Sequence, residues 1–159
     1  MMRVGLGFDL QAYDPGRVLM LGGVKIPGVW GLRGRSDADV LLRALIDGLL
    51  AAAGMGGIED HFPEDEDRYD GVPSAALLAE ALTKVQTRGL QPTGVDLTLV
   101  VDRTDLDEHR GAICSRVSAL LGLDEARINV KRRPHHGLGG PGHKDGIGAL
   151  ALVTLDEVS

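Results

Sequence analysis

Apolar residues at positions 40, 41, 44, 45, 49 and 52 recur at three- and four-residue intervals until glycines at 54, 56 and 57 end the run. That spacing predicts an amphipathic helix. Ser36, with Asp39 three residues on, resembles a capping box with Asp in place of Glu, so Ser36 is the expected N-cap. Asp39, Arg43 and Asp47 then stand at i, i+4 and i+8, a single charged stripe opposite Val40, Leu41, Ala44 and Leu45. "SAALLAEALTKVQTRG" predicts a second helix, after Pro73, with Ser74 as its expected cap and Gly89 as its stop. "DLDEHRGAICSRVSALLG" predicts a third.

The remaining apolar runs are shorter and rich in β-formers. "MRVGLGFDLQ", "GVDLTLVV", "RINVKR" and "GIGALALVTL" read as strands, and "RVLMLGGVKIPG" as a hairpin turning at Gly22-Gly23. "GIEDHFPEDEDRYDGVPS" reads as a loop, with seven acids against one arginine between Glu59 and Asp70. It is either a solvated connection or a ligand contact. Strands mixed with three helices, without an internal repeat or a linker, predict one α+β domain over residues 1–159.

Composition narrows the partners. A net charge of −6, without a basic stripe, argues against general nucleic-acid binding, which needs cations to displace counterions. Aromatics make up only 3%, so the core must come from Leu, Val, Ala and Ile. The single cysteine, Cys114, excludes an intrachain disulfide and fits a reducing compartment. No apolar run approaches the ~18 residues of a membrane span, and no signal-peptide pattern opens the chain. The expectation is a soluble, cytoplasmic protein without membrane contact. "GLGGPG", residues 137–142, matches a dinucleotide pattern only formally, because Pro141 interrupts it and a strand, not a helix, follows.

The blocks "MRVGLGFDLQAY", "LGGVKIP", "GLRGRSDADVLLRALIDGLLAAAGMGGI", "FPEDED", "NVK" and "GIGALALV" span essentially the whole chain. In this order they resemble the 2-C-methyl-D-erythritol 2,4-cyclodiphosphate synthase family. The resemblance implies a homotrimer, each subunit a mixed β-sheet backed by helices, with active sites between subunits. It also implies a zinc ion held by one Asp and two His, and a magnesium ion. The family reaction is in-line phosphoryl transfer: the substrate's 2-phosphate attacks the β-phosphorus and expels CMP, with cations neutralising charge on the phosphoryl oxygens.

Set against that pattern, Asp9 matches the metal aspartate, while Gln11 and Arg43 stand where the resemblance puts histidines. Gln is a weak neutral ligand, and Arg is a fixed cation that does not coordinate zinc. Arg35 replaces a histidine beside the diphosphate, and Gly57 an Asp facing the methylerythritol part. Asp105 takes the place of a nucleotide-contacting lysine, and Arg133 to His136 that of a hydroxyl-rich run ending in an acid. Asp9, Ser36, Asp39, Asp47, Lys131 and the "FPED" loop keep the family's residue types. His143 and Asp145 fall where the family's central channel carries an Arg and a Glu.

Two readings of the new arginines stand side by side. In the first, guanidinium groups at Arg35, Arg43 and Arg133 replace the metal and hold a phosphorylated or other anionic ligand, with His135 as an anion contact or proton carrier. In the second, Arg43 bridges Asp39 and Asp47 as ordinary i,i+4 pairs, each contributing ~0.3–0.5 kcal/mol. No cofactor is expected, because Gln11 and Arg43 replace the zinc histidines, and adjacent His135 and His136 point apart in a strand and do not easily face one new ion together. The expected function is that of a divergent family homologue, inactive as the metal-dependent cyclase and binding a small anion. A metal-independent cyclase and a structural partner of an intact cyclase are the alternatives.

Overall fold

A computed structural model describes residues 1–28, 30–137 and 145–158. The chain runs β1 (Arg3–Asp14), β2 (Leu19–Leu21), β3 (Val24–Ile26), β4 (Gly31–Leu32), α1 (Val40–Ala52), α2 (Ile58–His61) and α3 (Ser74–Gln86). It continues with β5 (Leu90–Val100), α4 (Arg110–Leu121), β6 (Ile128–Arg133) and β7 (Gly146–Glu157). The main sheet has the order β4-β1-β7-β5-β6. It is mixed: β5 and β6 are parallel and every other pair is antiparallel. The α+β expectation therefore holds. Among the described residues no helix is long and apolar enough to cross a membrane.

The long apolar run of α1 is buried on nearly every side, which makes α1 the central helix rather than a surface one. It lies directly on β1, where small residues permit the approach. A Cβ on Gly7 would stand 1.9 Å from the Ala44 carbonyl oxygen, and one on Gly5 would stand 2.2 Å from the Ala52 nitrogen. α3 and α4 complete the helical side, with Leu78, Ala81, Val85, Ile113 and Val117 buried beneath them. The opposite side of the sheet is bare. Val4, Leu6, Phe8 and Leu10 of β1 and Leu152 of β7 are between 43% and 60% exposed.

Both expected serine caps are corrected. α1 begins at Val40, and its cap is Asp39, whose carboxylate accepts the Leu42 N–H at 3.0 Å. Ala38 precedes it at φ +50°, which reverses the chain just before the helix and carries Ser36 away from the cap position. The Ser36 hydroxyl instead donates to the Val72 carbonyl. At α3 the distant Asp37 accepts both the Ser74 N–H and, at 2.6 Å, the Ser74 hydroxyl. The third helix is also shorter than its pattern, because residues 104–109 form tight 3₁₀ turns before α4. The acidic loop contains the one-turn helix α2 and a 3₁₀ turn at Asp67–Tyr69.

Candidate functional site

A cavity of about 430 Å³ opens where α1, the start of α3 and the acidic segment meet the end of β1. Arg33, Arg35, Ser36 and Arg43 line it on the polar side, with Gln11 from β1 and Glu64 from the acidic segment. Ala38, Phe62, Tyr69, Val72 and Leu77 form its apolar walls. Of the expected ligand residues, only Arg35, Ser36 and Arg43 reach this lining. Gln11 was noticed only as the residue in a histidine's place, and the "FPED" block pointed to Phe62 and Glu64, while Arg33 and the other apolar walls carried no signal in the sequence.

The charged stripe does not exist as a stripe. Asp39 is fully buried and turned towards the hairpin, where it accepts the N–H groups of Gly22 at 2.9 Å and Gly23 at 2.7 Å. Asp47 accepts the N–H groups of Phe8 at 3.1 Å and Ile58 at 2.9 Å, fastening α1 to β1 and α2. Arg43 bridges neither acid. Its Nε lies 3.4 Å from Asp9 Oδ2, and its Nη2 lies 3.3 Å from Glu59 Oε1 and 3.4 Å from Glu64 Oε1. The i,i+4 picture fails because Asp39 precedes the helix and both acids are already committed to backbone N–H groups.

Arg43 and Asp9 are largely enclosed, at 13% and 12% side-chain exposure. Burial raises the Asp9 carboxyl from 3.8 to about 6, against the pull of the Arg43 guanidinium and the Gln11 amide. Gln11 Nε2 donates to Asp9 Oδ2 at 2.8 Å. The oxygen that would face a metal is thus met by an amide donor and a guanidinium. The set Asp9, Gln11 and Arg43 does not fit zinc, because two of its three members present hydrogens where lone pairs are needed. Among the described residues no other cluster of three His, Cys, Asp or Glu side chains is placed to hold a metal.

Arg35 is held by the acidic segment. It donates to the Glu64 carbonyl and to Asp67 Oδ1 at 3.1 Å, with Asp70 Oδ1 at 3.5 Å. Lys131 pairs with Asp96 Oδ1 at 2.5 Å on the bare side of the sheet. His135 Nε2 lies 2.6 Å from Asp102 Oδ2, while its Nδ1 accepts the Gly137 N–H at 2.9 Å. This fixes the tautomer and engages both ring nitrogens. Arg133 is exposed beyond the cavity. The expected ligand set is therefore divided in a single chain, with Lys131, Arg133 and His135 on or after β6. The Asp145 carbonyl accepts the Tyr13 N–H at 2.9 Å, and His143 lies outside the described residues.

Residues 2–156 match the model of the YgbB family. The chain is 43% identical over 157 residues to the 2-C-methyl-D-erythritol 2,4-cyclodiphosphate synthase of Bordetella petrii, covering 99% of this chain and 97% of that one. Its fold superposes with a TM-score of 0.87 on a 2-C-methyl-D-erythritol-2,4-cyclodiphosphate synthase in a CDP-bound form, at 36% identity, covering 97% of this chain and all of that one. With the bifunctional IspDF of Campylobacter jejuni the TM-score is 0.94 at 34% identity, over all of this chain and 43% of that longer one. In sequence and in fold, over its whole length, the chain belongs to the 2-C-methyl-D-erythritol 2,4-cyclodiphosphate synthase family.

Proposed function

We propose that this family member does not run the metal-dependent cyclisation, and that it binds a small acidic molecule in the cavity beside Arg43. The observation that carries the reading is the position of the Arg43 guanidinium, among the carboxylates of Asp9, Glu59 and Glu64. A buried carboxylate needs a partner, and here a side chain supplies the positive charge that a metal ion supplies in the family. Arg43 then acts as a resident counter-cation, and ligand recognition falls to other groups on the wall. The CDP-bound relative supports a phosphorylated compound as one ligand class.

The reading includes a homotrimer. It is supported by the apolar side chains left bare on β1 and β7, which one chain does not cover. It is also supported by the separation of Lys131, Arg133 and His135 from the cavity, since a site shared between subunits takes residues from two chains. Size-exclusion chromatography with light scattering tests this, with three chains per particle as the expected mass. Assembly only in the presence of an intact cyclase would instead favour the structural-partner reading.

The 43% identity to a named cyclase favours retained turnover, and one experiment separates the two. ³¹P NMR follows the protein with 4-diphosphocytidyl-methylerythritol 2-phosphate, with and without zinc and magnesium. The expected result is an unchanged substrate spectrum under all conditions. Release of CMP with a cyclic diphosphate signal would overturn the proposal.

A further inference from the structure

We propose that the acidic segment after α2 is an ionic strap whose carboxylates occupy Arg35 in place of a ligand's acid. An anion binds by displacing them. This competition rests on the reading above that the cavity takes an acidic molecule, and it adds what such a molecule must dislodge. Every contact of the strap lies within one chain, so each subunit of an assembly carries it, whatever a neighbouring copy adds to the site.

The strap is fixed at its ends and charged between them. At one end Phe62 is 3% exposed and meets the Tyr69 ring edge-on, with ring centres 5.3 Å apart. At the other the Gly71 N–H donates to the Arg35 carbonyl at 3.0 Å. Phe62, Pro63, Glu64 and Tyr69 form one wall of the cavity. The acids of this stretch are open to solvent and still meet arginines. Asp67 is fully exposed and Asp70 60% exposed on Arg35, and Glu64 is 69% exposed on Arg43. Arg35 also donates to the Glu64 carbonyl, so one arginine holds the strap at three points.

Two features make this hold weak. Exposed carboxylates gain little from Arg35, because water and salt screen such pairs. An acid brought inside, beside Ala38, Val72 and Leu77, is screened less. Arg43 supplies the second feature. Its Nη2 reaches outwards to Glu59 at 3.3 Å and Glu64 at 3.4 Å, while its Nε stays 3.4 Å from Asp9 Oδ2. That Nε is a buried donor without a hydrogen-bond partner. Charge-assisted N–H···O bonds close to ~2.7–2.9 Å, so the guanidinium is stretched between the strap and β1 and sits close to neither. A buried donor left unpaired costs free energy. Departure of Glu64 lets Nε close on Asp9 and recovers that cost. Arg43 thus favours release of the strap, and Arg35, freed of Asp67 and Asp70, turns to the anion.

Hydrogen exchange of residues 64–70 and calorimetry of the full chain with inorganic diphosphate and CDP test the strap. Sodium chloride at matched ionic strength controls for screening. Either anion at saturation is expected to speed exchange of the segment by about threefold or more. Asp67→Asn with Asp70→Asn should bind the anion about threefold or more tightly than Asp65→Asn with Glu66→Gln. The second pair removes the same charge from acids that meet neither arginine, Glu66 being paired with Arg68. Glu64→Gln should speed exchange without any anion, and an unchanged rate would overturn the role of Arg43. Slower exchange with the anion would mean that the segment closes over the ligand. Equal affinity of the two double variants would mean that the acids do not compete. Either result overturns the strap and leaves the acidic-ligand reading standing. No binding of diphosphate or CDP by wild type or any variant would remove the reading and the strap together.

Discussion

Asp39 and Asp9 are both buried acids whose carboxyls burial lifts from 3.8 to about 6, yet their surroundings come from different parts of the chain. Asp39 is served by three backbone N–H groups, those of Gly22, Gly23 and Leu42. Asp9 is served by side chains, the Gln11 amide and the Arg43 guanidinium. Backbone donors come with the fold and survive substitution of the residues that carry them. Side-chain donors change whenever the sequence does, and the chemistry of the carboxylate changes with them. The first kind of acid is part of the architecture; the second is where family members diverge. Residue type alone puts both on one list of ligand candidates.

The contrast is broken most severely at Asp39. Asp39→Ala leaves three N–H groups, two of them buried, without an acceptor and removes the cap of α1, so a loss of about 3–5 kcal/mol is expected in urea unfolding. A loss below ~1 kcal/mol would mean that water serves those groups equally well. Arg43→Ala comes next, at roughly 2 kcal/mol near pH 8, because Asp9 loses its cation while Glu59 and Glu64 keep access to solvent. The same variant should lose less near pH 5, where Asp9 is protonated. An unchanged melting temperature at pH 8 would show that Arg43 is free to serve a ligand after all.

The pH dependence of the wild type sharpens the comparison further. Both carboxyls have folded values near 6, above their ordinary 3.8, so the folded state binds more protons between those values. Their contribution to stability is fully present below about pH 4 and is lost as the pH rises through 6. Asp9→Asn should flatten this decline, read as urea midpoints at pH 4.5, 5.5 and 7. A curve parallel to wild type would assign the whole slope to Asp39. The smallest effect belongs to Arg35→Ala, below ~0.5 kcal/mol in a thermal melt, since its partner Asp67 is fully exposed.

Much of the fold was legible in the sequence. The α1 pattern from Val40, the hairpin at Gly22-Gly23 and the stop of α3 before Gly89 all follow from spacing and turn chemistry. The capping residues were misread because Asp37 and Asp39 act through space or through a reversed residue, Ala38, that no local pattern announces. The parallel pairing of β5 with β6 was likewise hidden, since the alternation within a strand does not say which neighbour it takes. At the site, the sequence pointed to Arg43 as the decisive position, but its partners lie 16 and 21 residues away on the acidic segment.

The left-handed residue at Ala38 has a mechanical consequence. Because the chain reverses there, Asp37 pulls on the first residue of α3 while Asp39 pulls on the turn between β2 and β3. Ala38 itself is part of the cavity wall. That turn rests in turn on α4, where a Cβ on Gly22 would stand 2.5 Å from Ile113 Cγ2. Ala38 thus joins three parts of the molecule: the hairpin turn is held through Asp39, the start of α3 through Asp37, and the cavity through the residue between them.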